Sequence, residues 1–200
     1  MPDKYRNFIN GTWVEARGGR TFRSTNPADT RDVIGDFASS GIEDVQGAVD
    51  AAHRAFPAWR GLSGSARGEY LRKAADILES RVQEVAQAMV RENGKTIGEA
   101  RGETLRGVAL LRFYAAEGIR SVGEVIPSVN PKTLIYTTRE PLGVASIITP
   151  WNFPVAIPFW KIAPALVYGN TLVFKPASIT PHCGFLVTQV SNRREFRRAC

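Results

Sequence analysis

The sequence contains few cysteines and no long hydrophobic run, and each shortage excludes a class of protein. Only two cysteines are present, Cys183 and Cys200, and both lie in the last 18 residues, so disulfides cannot cross-link the body of the fold. No apolar run of about 18 residues occurs, and the N-terminus lacks the apolar stretch of a signal peptide. We therefore expect a soluble protein of the reducing cytoplasm without a membrane partner.

Two phosphate-binding signatures are also missing. Neither G-x-G-x-x-G nor G-x-x-x-x-G-K-[ST] occurs, so the common glycine-rich phosphate loops cannot be assigned. Histidine is scarce as well, and His53 lies beside an apolar helical stripe with no cysteine or second histidine at ligand spacing. We interpret His53 as structural and expect no metal site.

The net charge of +7 does not indicate a nucleic-acid partner. Residues 193–198 hold four arginines and one glutamate, which contribute +3, so the rest of the chain carries +4. The remaining basic residues alternate with acids along predicted helices, which is typical of solvated faces and not of a basic stripe. We therefore expect no nucleic-acid binding.

The first 41 residues predict strands and turns. Apolar and polar residues alternate on either side of Asn10-Gly11, and this dipeptide tolerates positive φ at both turn positions, so residues 8–16 predict a β-hairpin. Residues 24–41 are rich in turn formers and predict a connection with one short strand near residues 33–37.

Apolar residues then recur at spacings of three and four, which predicts three amphipathic helices in one layer. The second helix is expected to end at Gly94, where a left-handed residue is needed, and the third before Gly118. The stripes are Val45, Val49, Ala52, Phe56 and Trp59; Leu71, Ala74, Leu78, Val82, Val85 and Met89; and Ala100, Thr104, Val108, Leu111 and Ala115.

The remaining pattern predicts an α/β fold. Residues 122–144 have period two and three prolines, which suits an edge hairpin. Residues 143–149 and 170–175 are short, apolar and β-branched, and the stretch between them has the composition of a helix. Strand, helix and strand in this order predict a parallel unit, with ligands at the carboxyl ends of the strands.

Asn152 and Lys175 follow these two strand ends, and their local sequence leaves their roles open. Asn152 is either the N-cap of the next helix or a donor to a developing oxyanion, and an unpaired amide in a buried segment costs about 1 to 3 kcal/mol. Lys175 is either a strand-end lysine with a solvated ammonium or a cation that binds ribose hydroxyls or a phosphate.

A family resemblance extends this interpretation. The stretch "EPLGVASIITPWNFPVAIPFWKIAPALVYGNTLVFKPAS", residues 140–178, closely resembles the aldehyde dehydrogenase superfamily. The order and spacing of P-W-N-F-P, W-K-x-x-P-A-L and G-N-T-x-V-x-K-P-[AS] are kept, and "NPAD" and "ENGK" are also similar to the family. The resemblance covers roughly residues 5–181 and is strongest to 2,5-dioxovalerate (α-ketoglutaric semialdehyde) dehydrogenases, with succinate-semialdehyde dehydrogenases next.

The resemblance implies the N-terminal portion of the aldehyde dehydrogenase fold, an α/β Rossmann-like cofactor domain with a preceding helical layer and a bridging β-hairpin. Residues 1–121 would form the N-terminal hairpin and helical layer, 122–142 the bridging and oligomerisation hairpin, 143–181 the first part of the NAD(P)-binding unit, and 182–200 a tail unlike the family. The implied reaction is NAD(P)-dependent oxidation of an aldehyde to a carboxylic acid in homodimers or homotetramers.

The resemblance also implies roles for single residues. Asn152 matches the family's oxyanion-hole asparagine, and Lys175 matches a lysine that bonds the adenosine ribose. Ser178 stands where NAD-restricted members often place a glutamate, so NADP is expected to be accepted as well as NAD. The cofactor-binding residues implied are Ile148, Thr149, Pro150, Trp151, Lys175, Ala177 and Ser178.

Other family motifs are absent. The nucleophilic cysteine in G-Q-x-C, the glutamate in E-L-G-G and the G-S-x-x-x-G cofactor motif do not occur, and neither cysteine has the flanking pattern of the nucleophile. Together with the arginine-rich tail, this predicts a truncated or frame-shifted N-terminal fragment that is inactive alone. The alternative is a non-catalytic fragment that binds cofactor or forms hetero-oligomers.

Overall fold

The computed structural model describes residues 2–120 and 123–191 of the chain. Short strands form the N-terminal part. Strands β2 (Asn7–Ile9) and β3 (Thr12–Val14) pair antiparallel. Asn10 and Gly11 between them have φ values of 51° and 76°, which confirms the predicted hairpin and its turn residues. The first strand, β1 (Lys4–Tyr5), pairs elsewhere.

The strand predicted near residues 33–37 is present within a longer strand, but the predicted turn-rich connection is wrong, because residues 21–38 form a long hairpin. Strand β4 (Thr21–Asn26) pairs antiparallel with β5 (Asp29–Ala38), and β1 adds to β5 in parallel. The register shifts on either side of Thr25, so the alternation of apolar and polar residues is interrupted there. This interruption explains why period two is not visible in the sequence.

Four helices, and not three, form the helical layer: α1 (Ile42–Arg60), α2 (Gly64–Ser80), α3 (Val82–Asn93) and α4 (Ile97–Glu117). The second predicted helix is broken at Arg81, whose φ of −111° and ψ of 13° are not helical. The apolar stripe crosses this break, since Leu78 and Val85 both enter the core. The predicted stop is confirmed at Gly94, which has a φ of 82°.

The stripe predicted for α1 is only partly buried. Ala52 and Trp59 lie in the core, whereas Val45 and Val49 are 48% and 36% exposed. The spacing therefore predicted the helix correctly, but its first two turns do not face the core.

The second half of the described chain is the predicted α/β unit. A small hairpin of β6 (Val125–Ile126) and β7 (Ile135–Tyr136) precedes strand β8 (Val144–Ile148), helix α5 (Ala156–Val167), strand β9 (Thr171–Lys175) and helix α6 (Pro181–Ser191). Strands β8 and β9 are parallel, as predicted. The tail expected from residue 182 thus begins within a helix, and residues 192–200 lie outside the described part.

One apolar core joins the helical layer to this unit. Trp59 is buried, and its indole N–H donates to the carbonyl of Leu166 at 3.0 Å, which links α1 to α5. Phe159 of α5 is fully buried against Gly107 of α4. Other members are Leu71, Leu78, Met89, Leu111, Ile147, Leu186, Val187 and Val190. Helix α5 is consequently packed against both α1 and α4.

Candidate functional site

The carboxyl ends of β8 and β9 lie side by side. Ile148 is paired with Lys175, and the backbone N–H of Thr149 donates to the carbonyl of Lys175 at 3.3 Å. Ile148 is 71% exposed, whereas Thr149 is buried. Predicted residues from both strands therefore meet at one sheet edge, where ligands of parallel sheets are usually found.

Asn152 lies in the bend between β8 and α5, and its side chain is exposed. It forms no hydrogen bond to any residue in the described part of the chain. The expectation of a buried amide is therefore wrong, and Asn152 carries no desolvation cost. The N-cap alternative is also wrong, because Val155 is the residue that flanks α5 and no side chain of the bend caps the helix.

A glutamate from another helix takes the place of the missing cap. Oε1 of Glu103, on α4, accepts the backbone N–H groups of Val155 and Ala156 at 2.8 and 3.1 Å. The side chain of Glu103 is 1% exposed, and its other oxygen pairs with the ammonium of Lys95. A buried carboxylate at a helix N-terminus is favourable because the unpaired N–H groups and the helix dipole both attract it.

The residues on both sides of Asn152 are held as well. The amide of Asn93 donates to the carbonyl of Trp151 at 3.0 Å, and the ammonium of Lys95 lies 4.2 Å from the ring centroid of Phe153. The rings of Trp151 and Phe153 are 52% and 46% exposed. The end of α3 and the turn that joins it to α4 therefore contact the bend directly.

Glu103, Lys95 and Asn93 were not predicted from the sequence as members of this site. Acids and bases that alternate on a helix usually mark a solvated face, so the pattern gave no sign that Glu103 is buried. The one available signal was "ENGK", residues 92–95, whose similarity to the family did not reveal what the side chains contact.

The segment after β9 borders a separate groove of about 520 Å³ between the N-terminal strands, α1, β9 and α6. Lys175, Ala177 and Ser178 line this groove, and the ammonium of Lys175 donates to the carbonyl of Pro176 at 3.1 Å. Residues 148–152 do not line it. The structure therefore divides the predicted cofactor residues between the end of β8 and the groove beside β9.

Helix α6 repeats the capping arrangement of α5. Glu92, at the end of α3, accepts the backbone N–H groups of His182 and Cys183 at 2.7 and 2.8 Å. Burial raises the pKa of Glu92, and burial together with the nearby Glu92 carboxylate raises the pKa of the Cys183 thiol well above its usual range. Cys183 is therefore a buried, protonated thiol and does not have the properties of a nucleophile.

Comparison with known proteins identifies the family. The sequence model of the aldehyde dehydrogenase family matches residues 13–196. The chain belongs to the aldehyde dehydrogenase family. The match continues past residue 181, where the resemblance was expected to end, and it includes helix α6.

Several members of the aldehyde dehydrogenase family are similar to this chain. The α-ketoglutaric semialdehyde dehydrogenase of Bacillus subtilis (strain 168) is 57% identical over 176 residues, which are 88% of this chain and 36% of that protein. The crystal structure of an E. coli NADP-dependent enzyme has a TM-score of 0.91 at 36% identity and covers 94% of this chain and 39% of its own. A betaine aldehyde dehydrogenase double mutant from Staphylococcus aureus, in complex with NAD+, has a TM-score of 0.89 at 34% identity over 93% of this chain and 38% of its own.

These comparisons confirm the N-terminal aldehyde dehydrogenase fold that the sequence predicted. The chain spans less than two fifths of the length of these relatives. Within residues 2–120 and 123–191, no helix is long and apolar enough to cross a bilayer. The same residues hold no group of three or more histidine, cysteine or acidic side chains that could bind a metal ion.

Proposed function

We propose that this chain is the N-terminal part of an NAD(P)-dependent dehydrogenase that oxidises a semialdehyde, with 2,5-dioxovalerate as the favoured substrate. The observation that carries the substrate class is the 57% identity to the α-ketoglutaric semialdehyde dehydrogenase of B. subtilis. The proposal assigns the intact enzyme to the cytoplasm and to a homodimer or homotetramer.

In this proposal, the Asn152 amide is a donor of the oxyanion hole. When a thiolate attacks the aldehyde carbon, negative charge develops on the aldehyde oxygen, and the amide N–H groups of Asn152 donate to that oxygen. A fixed donor of this kind contributes about 3 to 4 kcal/mol to transition-state stabilisation. The exposed, unpartnered amide at the end of β8 supports this role.

The donors and walls at the two strand ends fit a nicotinamide dinucleotide. Lys175 would donate to the adenosine ribose hydroxyls, with Ala177 and Ser178 beside it in the groove. Residues 148–151 would contact the nicotinamide ribose. The bound cofactor supplies the hydride acceptor for the reaction. No acidic residue is among the groove residues that follow Lys175, so nothing in that segment repels a 2′-phosphate.

A hybrid enzyme tests the proposal. It consists of this chain up to the last residue that aligns with the B. subtilis relative, followed by the rest of that relative. We expect this hybrid to reduce NAD+ or NADP+ with 2,5-dioxovalerate, measured as absorbance of the reduced cofactor. Replacement of Asn152 by alanine is the matched control. A folded hybrid that oxidises unrelated aldehydes as well as 2,5-dioxovalerate contradicts the substrate assignment.

A second candidate function is a non-catalytic fragment that binds cofactor or forms hetero-oligomers. The hairpin of β6 and β7 favours it, because Val125 and Tyr136 are 74% and 62% exposed and offer an apolar surface to another chain. Size-exclusion chromatography discriminates the two. A defined oligomer or complex supports the second candidate, and a chain that elutes as a monomer supports the first.

A further inference from the structure

The bend that carries Asn152 is fixed at three points by side chains from the helical layer. Asn93 donates to the carbonyl of Trp151, the Lys95 ammonium lies over the ring of Phe153, and Glu103 accepts the N–H of Val155. Asn152 itself, in the middle of these contacts, has no partner in the described part of the chain. These contacts therefore hold the residues on either side of Asn152 and leave its side-chain amide free to donate to a ligand.

We propose that Lys95 and Glu103 are positioning residues, which hold the Asn152 bend in place so that its amide is fixed before the aldehyde binds. The inference rests on the proposed oxyanion role of Asn152. A preorganised donor stabilises developing charge without reorganising during the reaction, so the gain depends on how firmly the bend is held.

Competition for one N–H group supports this assignment. If Asn152 were the N-cap of α5, Val155 would stand at the N3 position, whose N–H a capping side chain accepts. Oε1 of Glu103 takes that N–H at 2.8 Å. The asparagine is thus released from the local structural role that its residue type favours.

The ion pair with Lys95 keeps the Glu103 carboxylate in place as the acceptor of the Val155 N–H. A carboxylate that is 1% exposed is costly unless it is paired and hydrogen-bonded, and Glu103 has the Lys95 ammonium and two backbone N–H groups as partners. Lys95 is itself 17% exposed and contacts Phe153, the residue next to Asn152. Loss of either member leaves the other charge without its partner.

Helix α6 provides a comparison that separates positioning of the Asn152 bend from the general stability that a capping glutamate gives. There, Glu92 accepts the N–H groups of His182 and Cys183, and the hydroxyl of Thr180 is left without a hydrogen-bond partner within the described residues. The released Thr180 side chain is buried, whereas the released Asn152 side chain is exposed. Within the described residues, Glu92 thus caps a helix in the same way but forms no hydrogen bond to the bend.

A double-mutant cycle on the full 200-residue chain tests the inference without any catalytic activity. In the parent chain, we expect Asn152→Ala to leave the unfolding midpoint nearly unchanged, because the amide has no partner. In a Glu103→Met background, Asn152 is free to cap Val155, so Asn152→Ala should lower the folding equilibrium constant about five- to tenfold. In a Glu92→Met background, Asn152→Ala should again have almost no effect.

An equal effect of Asn152→Ala in all three backgrounds overturns the inference. If Glu103→Met does not fold, Glu103→Ala provides the second background, and Glu103→Gln, whose amide oxygen still accepts the Val155 N–H, should show the parent behaviour. The inference is also overturned if Asn152→Ala destabilises the Glu92→Met chain as much as the Glu103→Met chain, since the effect would then follow from reduced stability in general.

Kinetics of the hybrid enzyme provide the functional measurement. We expect Glu103→Met and Lys95→Met to lower kcat about 10- to 100-fold with little change in KM for the aldehyde, because the hydrogen bond from Asn152 that they weaken forms in the transition state. Glu92→Met should keep kcat within about twofold at a temperature where it is folded. If the parent hybrid is inactive, the proposed function fails, while the double-mutant cycle still decides whether Glu103 controls the Asn152 bend.

Discussion

Helices α2 and α4 approach each other so closely that a single methyl group should force them apart. A Cβ atom on Gly68 would lie 2.4 Å from the carbonyl oxygen of Ala115, and no flexible side chain stands between them. Real Cβ atoms essentially never come within 3.0 Å of another atom, so Gly68→Ala must separate the helices by at least 0.6 Å. Because α4 carries Glu103, this contact also supports the candidate site.

The expected cost follows from two opposing terms. Alanine in a helix interior is favoured over glycine by about 1 kcal/mol, whereas overpacking of a tight contact costs about 1 to 3 kcal/mol. A backbone contact cannot be relieved by a rotamer change, so we expect the upper end of that range and a net loss of about 1 to 2 kcal/mol. For a chain of this size, the loss lowers Tm by about 2 to 8 °C.

Gly102→Ala is the matched control, because Gly102 lies within α4 and a Cβ there would meet nothing within 4 Å. We expect this variant to gain about 0.5 to 1 kcal/mol from helix propensity alone. Urea unfolding followed by far-ultraviolet circular dichroism measures both variants. If Gly68→Ala is as stable as Gly102→Ala, the close approach of α2 and α4 is refuted.

Three further predictions concern cofactor choice, thiol access and pH. In the hybrid enzyme, Ser178→Glu should raise KM for NADP+ at least tenfold with a much smaller change for NAD+, and a parent hybrid that already discriminates strongly against NADP+ would contradict the role of Ser178. In a Cys200→Ser chain, iodoacetamide should modify Cys183 only under conditions that unfold the protein, as mass spectrometry can show, because the thiol is fully buried and its pKa is raised. Burial raises the pKa of Glu92 above its ordinary 4.5, so the folded chain binds this proton more tightly than the unfolded chain. The stabilisation from this proton is therefore complete below pH 4.5 and is lost as pH rises through the raised pKa of Glu92, so the urea midpoint should fall over that range. A Glu92→Gln chain that shows the same fall in urea midpoint would exclude Glu92 as its source.

The sequence predicted best those elements whose conformation is determined by a few neighbouring residues. The turn at Asn10-Gly11 requires residues that adopt positive φ, and the stop at Gly94 requires a left-handed residue, so both are visible within a few positions. The β8, α5, β9 unit was predictable because both strands are short apolar runs with a helical stretch between them. The ends of these strands then located Asn152 and Lys175.

The features that sequence missed depend on contacts between distant segments. The hairpin of β4 and β5 is interrupted by register shifts at Thr25, and the break at Arg81 does not interrupt the apolar stripe. Glu92 and Glu103 are ordinary helical acids by pattern, and only the packing of α3 and α4 against the α/β unit buries them. The true surroundings of Asn152 could therefore not be predicted from its neighbours in sequence.

The most direct measurement of the central claim is kcat of the hybrid enzyme with Asn152 and with Asn152→Ala, using 2,5-dioxovalerate and saturating cofactor. If the amide stabilises the oxyanion, kcat should fall about 100- to 1000-fold, with KM for the cofactor nearly unchanged. A variant that retains most of the parent kcat would contradict the assignment of Asn152.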